Sequence, residues 1–104
     1  MSILSITFHT IENRVEEWDQ YLENDLVQMV ENLMDVDKYI LSEVDSSMIR
    51  EGKNTNLFLM FDNDALREQF IINELQNISE HIVSKFGNEV MIFDTCLNPK
   101  KLRF

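Results

Sequence analysis

Two histidines, one cysteine and a carboxylate set among apolar residues are the side chains of this sequence best placed to carry chemistry. His9 closes an alternating stretch, where an imidazole could move a proton at a covered face or simply hydrogen-bond at a strand end. His81 stands at the border of an apolar helical stripe, four residues before Lys85, a position that ordinarily solvates the ring. The two histidines share no i, i+4 spacing on one helix, so nothing local makes them a metal pair, and no metal site is expected. Asp94 lies in Ile92-Phe93-Asp94-Thr95 and would face a pocket, a subunit seam or open water from an edge strand. Cys96 would need a neighbouring base and an electropositive setting to act as a nucleophile. Near the end of an apolar strand it is expected instead to be a small buried core residue. No nucleophile–base pair, phosphate loop or ligand cluster stands out, so no catalytic residue and no cofactor is assigned. His9, His81 and Asp94 are the candidates for a pocket or an interface.

The elements that must hold these residues follow from hydrophobic periodicity. Over residues 3–9, Leu4, Ile6 and Phe8 alternate with Ser5, Thr7 and His9, the period of two of a strand with one apolar face. Asn13 and Glu16 have the spacing of a capping box ahead of a helix. Val15, Trp18, Leu22, Leu26, Met29 and Leu33 then form one stripe at helical spacing, with Glu16, Glu17, Glu23 and Glu31 away from it. Residues 38–44 read as a second strand, with Lys38 and Glu43 suited to an edge. A polar connection over 46–54 holds Gly52, and Leu57-Phe58-Leu59-Met60-Phe61 is apolar on both faces, as in a central strand. Asn63 or Asp64 can cap a second helix carrying Ile71, Leu75, Ile78, Ile82 and Phe86, which Gly87 ends. Residues 90–97 form a last strand before Pro99.

Strand–helix–strand twice over, joined by a hairpin, is the split arrangement of a ferredoxin-like α+β domain. Right-handed crossovers put the first and third strands in the centre of a four-stranded antiparallel sheet, with both helices on one face. The opposite face then carries apolar side chains with no cover of its own. A homodimer, sheet facing sheet, is expected to supply that cover.

The opening strand 3–8, the helix with Glu17-Trp18, and the run from His81 through Lys85-Phe86-Gly87 to Val90-Met91-Ile92-Phe93-Asp94-Thr95 resemble a small uncharacterised bacterial family. That family is a domain of unknown function with the dimeric α+β barrel form of the ferredoxin-like fold. The resemblance implies the fold and the dimer, and no activity. Dimeric α+β barrels elsewhere include cofactor-independent monooxygenases and haem-degrading enzymes, some of which use a helix histidine, a first-strand asparagine and a nearby tryptophan. Here His81 could take the helix role, but the first strand has no asparagine and Trp18 belongs to the core stripe.

Composition narrows the partners. The 104 residues suit one domain, 1–104, with a basic tail over 98–104, and 44% hydrophobic residues suffice for a core. Nineteen acids against nine bases give a net charge of −10, which disfavours nucleic acid and anionic membrane surfaces. Nine acids between Glu12 and Asp37, against Arg14 alone, suggest a solvated helix face, a basic protein partner, or a resting place for another subunit's basic tail. A single cysteine and an N-terminus without a secretory pattern fit a reducing cytoplasm. The expected function is a homodimeric ligand- or protein-binding module, leaning away from an enzyme. The alternative is a small cofactor-independent, monooxygenase-like barrel enzyme acting on an apolar or aromatic compound.

Overall fold

The alternation at the N-terminus sorts side chains onto two faces. In the computed structural model, which describes residues 1–45 and 51–103, β1 (Ser2–Thr10) buries Leu4, Ile6 and Phe8 completely. Ser5, Thr7 and His9 are half-buried on its other face. A 3-10 turn (Glu12–Arg14) leads into α1 (Val15–Tyr21), and α2 (Val27–Glu31) continues the same rod beyond a π turn at Leu22–Leu26. The Asn13–Glu16 capping box does not form, because Asn13 is taken up in the 3-10 turn and no side chain caps either segment.

The π turn shifts the buried stripe. It inserts one residue into the helical repeat, so the inward positions become Trp18, Tyr21, Leu26 and Val30, with five residues from Tyr21 to Leu26. Val15, Leu22, Met29 and Leu33, which the 3.6-residue period placed on the core stripe, are only partly covered. The second crossover repeats the device. α3 (Asp64–Gln69), a π turn at Phe70–Glu74 and α4 (Leu75–Phe86) bury Phe70 and Leu75 five residues apart, then Ile78, Ile82 and Phe86, leaving Ile71 partly covered. Asn63 caps this helix by accepting from the Leu66 amide at 3.0 Å. Gly87, at φ 62°, ends it in a conformation that side chains rarely adopt.

β2 (Lys38–Glu43), β3 (Lys53–Phe61) and β4 (Val90–Leu97) complete a fully antiparallel sheet in the order β2-β3-β1-β4. β3 begins at Lys53, earlier than its apolar run, so Lys53 and Asn54 belong to the strand and not to the connection. Residues 46–50 of that connection lie outside the described residues. Gly52 (φ 84°) is required where it stands, because a Cβ there would lie 2.2 Å from the Thr10 carbonyl oxygen. β3 is also less two-sided than its composition implied: Leu57, Leu59 and Phe61 are buried, whereas Phe58 and Met60 are half-buried on the opposite face. The first helical rod packs over β3, with Trp18 Nε1 donating to Thr55 Oγ1 at 3.2 Å. The second packs over β1 and β4, where Arg67 Nη1 donates to the Ile3 and Leu97 carbonyls, both at 3.1 Å. The chain is thus a four-stranded ferredoxin-like α+β domain with both helical rods on one face of the sheet.

Cys96 departs from expectation: it is exposed, with a free thiol. On β4 only Val90 is buried and Ile92 half-buried; from Phe93 to Leu97 the strand is exposed, with Phe93, Thr95 and Leu97 on the face away from the helices and Asp94 and Cys96 on an edge strand.

Candidate functional site

The open face of the sheet is built by register. Residues paired across antiparallel strands point the same way, so Lys38, Met60, Ile3 and Leu97 form one row and Ile40, Phe58, Ser5 and Thr95 the next. Ser42, Asn56, Thr7 and Phe93 follow, and Asn54, His9 and Met91 close the face. None of the described elements covers it. Phe93 is 56% exposed, Ile40 52% and Met91 45%, although each is a residue type that burial favours. The polar centre of the face is satisfied within the chain. Asn56 Nδ2 donates to Ser5 Oγ at 3.0 Å, Thr7 Oγ1 at 3.2 Å and the Ile6 carbonyl at 3.3 Å. His9 Nδ1 and Asn54 Oδ1 are 2.6 Å apart. Such groups can enter a dry interface without losing their partners.

The three residues singled out from the sequence are not brought together. His9 belongs to the open face. Asp94 points to the helix side of the same sheet, on the rim of an apolar groove of about 450 Å³ between α4 and β4, with Leu75, Val83, Val90 and Ile92. It remains exposed. His81 lies on the far side of α4, stacked on Tyr21 with ring centroids 5.7 Å apart. Its Nδ1 is 2.7 Å from the Tyr21 hydroxyl, which donates when the imidazole proton is on Nε2. Among the described residues no cluster of His, Cys, Asp and Glu could hold a metal ion.

Periodicity passed over Tyr21, which is buried three residues beyond Trp18 on α1. Burial, followed by the charge of Asp25, pushes its pKa up to about 12. The folded value stands above the ordinary 10.0, so the associated stability is intact below pH 10 and is lost as the pH rises through about 12. The loss should amount to roughly 2–3 kcal/mol. Alkaline melts of the parent and of Tyr21→Phe should diverge over that window and nowhere below it. Equal slopes would remove Tyr21 from the core.

The acids of the first rod meet two cations: Arg14, whose Nη2 lies 3.1 Å from Glu17 Oε2, and Lys53. Lys53 Nζ binds Asp19 at 2.7 Å and also pairs with Glu43. Burial pulls this ammonium down, but its hydrogen bonds to the two carboxylates outweigh that and raise its pKa above the usual lysine value.

Solved structures of the same architecture come from several sources. A dimeric ferredoxin-like protein from an uncultured marine organism is 16% identical, with a TM-score of 0.67 over 100% of this chain and 99% of its own. A protein from Deinococcus radiodurans, provisionally assigned as an antibiotic-biosynthesis monooxygenase, is 12% identical, with a TM-score of 0.70 over 100% and 97%. An ethyl tert-butyl ether d (EthD) family protein from Bacillus halodurans is 10% identical, with a TM-score of 0.69 over 91% and 97%. Likeness at these identities carries the fold alone. No curated protein matches the chain. The family model described as Domain of unknown function (DUF4286) matches residues 1–100, and the chain belongs to that family.

Proposed function

We propose that this protein is a homodimeric binding module whose two sheets face each other, and that it binds a small ligand or a protein partner in that form. The observation that carries this is the open sheet face. Ile40, Phe58, Met60, Phe93 and Leu97 share it with polar groups already paired within the chain. Two such faces stacked about 10 Å apart make an ordinary sheet-on-sheet core. The dimeric marine protein of the same fold supports the reading. The acidic first rod favours a basic protein over nucleic acid or an anionic membrane, and the lone cysteine fits the cytoplasm.

Native mass spectrometry and sedimentation at micromolar concentration test this directly. The parent should be a dimer. Phe93→Glu should weaken association by at least about 100-fold, since the two-fold places two unpaired carboxylates in the seam. Phe93 has little burial to lose within one chain, so the variant should stay folded. A parent that sediments as a monomer sinks the proposal.

A second reading rests on Asp94 alone of the three candidates. Its carboxylate on the rim of the apolar α4–β4 groove suits a small enzyme of monooxygenase type acting on an apolar compound. Turnover abolished by Asp94→Asn would favour it over the binding module.

A further inference from the structure

The segment after β4 is basic, apolar at one point, and exposed: Lys100, Lys101 and Arg103 surround Leu102, which is 55% exposed. A pocket of about 360 Å³ of matching character opens between the end of α2 and the π turn Phe70–Glu74. Leu33, Met34 and Phe70 supply its apolar lining, and Asp35 and Glu74 supply two carboxylates. Met34 is 98% exposed at its rim, a thioether standing in water. Among the described residues, none of the chain's own tail lines this pocket.

We infer that the pocket receives the C-terminal segment of a second copy of this chain, in the sheet-to-sheet dimer on whose existence the inference rests. Leu102 fills the apolar floor, and Lys100, Lys101 and Arg103 pair with Asp35 and Glu74. Charge complementarity within one sequence selects this occupant: the chain carries a net −10, yet its last five residues hold three of its nine bases. Position agrees. Leu97 and Lys38 end the same cross-sheet row, so β4 leaves the sheet at the end where β2 enters it, immediately after Met34 and Asp35. A two-fold axis parallel to the strands lays β4 of one copy over β2 of the other with those ends together. The five residues from Leu97 to Leu102 span at most about 18 Å when extended. That exceeds the sheet-to-sheet spacing of about 10 Å and, once Asn98 leaves Arg67 of its own chain, lets the tail climb the end of its partner toward the helix layer.

The test uses full-length Cys96→Ser chains carrying either Met34→Cys or Leu102→Cys, mixed, mildly oxidised and read by native mass spectrometry and on a non-reducing gel. A covalent heterodimer joined through positions 34 and 102 is expected. It should form about tenfold more slowly when the Leu102→Cys chain also carries Lys100→Glu and Lys101→Glu. A chain carrying both cysteines should give the same inter-subunit bond; closure within one chain would instead place the tail in its own pocket and overturn the inference. A non-covalent dimer without the bond would also overturn it, leaving the sheet-to-sheet dimer standing. A monomer would remove both.

Discussion

Trp18→Ala should cost about 3–5 kcal/mol, the range for deleting a buried large aromatic side chain. Trp18 is fully buried and joins most of the domain's layers. Its ring centroid lies 5.2 Å from Phe8 on β1 and 5.6 Å from both Tyr21 on its own helix and Phe86 at the end of α4. Its indole N–H reaches Thr55 on β3. Alanine would leave a cavity among three aromatic rings and an unpaired hydroxyl beneath them. For a domain of this size each kcal/mol moves the Tm by about 4–8 °C, so the midpoint should fall by at least about 12 °C. Because that loss approaches the whole stability of a small domain, Trp18→Phe is the companion measurement. It keeps most of the volume, removes the hydrogen bond, and should cost about 1–2 kcal/mol. A Trp18→Ala protein within 1 kcal/mol of the parent would mean that the first rod does not pack as described.

Arg67→Met should destabilise by about 2–3 kcal/mol, from the charge-assisted hydrogen bonds it removes. A buried arginine is rare unless its guanidinium is paired, and this one is 6% exposed. Nη1 holds the Ile3 and Leu97 carbonyls and Asn98 Oδ1, the last at 2.9 Å, while Nη2 lies 3.7 Å from Asp64. One side chain from the second rod thus clamps the start of β1 to the end of β4. Methionine keeps the aliphatic bulk and abandons three acceptors, two of them backbone carbonyls. Thermal melts measure the loss. Hydrogen exchange should show it concentrated at the end of β4, with Leu97 opening sooner than Val90. Unchanged exchange there, together with an unchanged Tm, would leave the clamp without energetic weight.

Arg67 was invisible to sequence reading because an arginine three residues beyond Asp64 reads as a solvated helix position. Its burial follows from where α3 meets the β1 and β4 ends, a relation between segments far apart in the chain. Tyr21 and His81 are a second case: each looks unremarkable on its own helix, and only the packing of α1 against α4 joins them. The stripe error has one cause in both rods. A period of 3.6 carried through a π turn places Leu22 and Ile71 inward and passes over Val30 and Phe70. Cys96 was misjudged for a simpler reason: apolar neighbours along a strand do not reveal how much of it is covered.

By itself the sequence determined the element order, the central places of β1 and β3, a cap at Asn63 or Asp64, and the Gly87 stop. These follow from hydrophobic period, crossover handedness and backbone permissiveness, which are local or topological rules. It also determined the charge contrast between an acidic first rod and a basic tail. Only the tertiary structure decided that His9, His81 and Asp94 occupy three separate surfaces, that Arg67 and Tyr21 are interior, and that one pocket pairs apolar walls with Asp35 and Glu74. Such facts depend on distances between residues remote in sequence, and those distances are set by how helices with one extra residue per π turn rotate against the sheet.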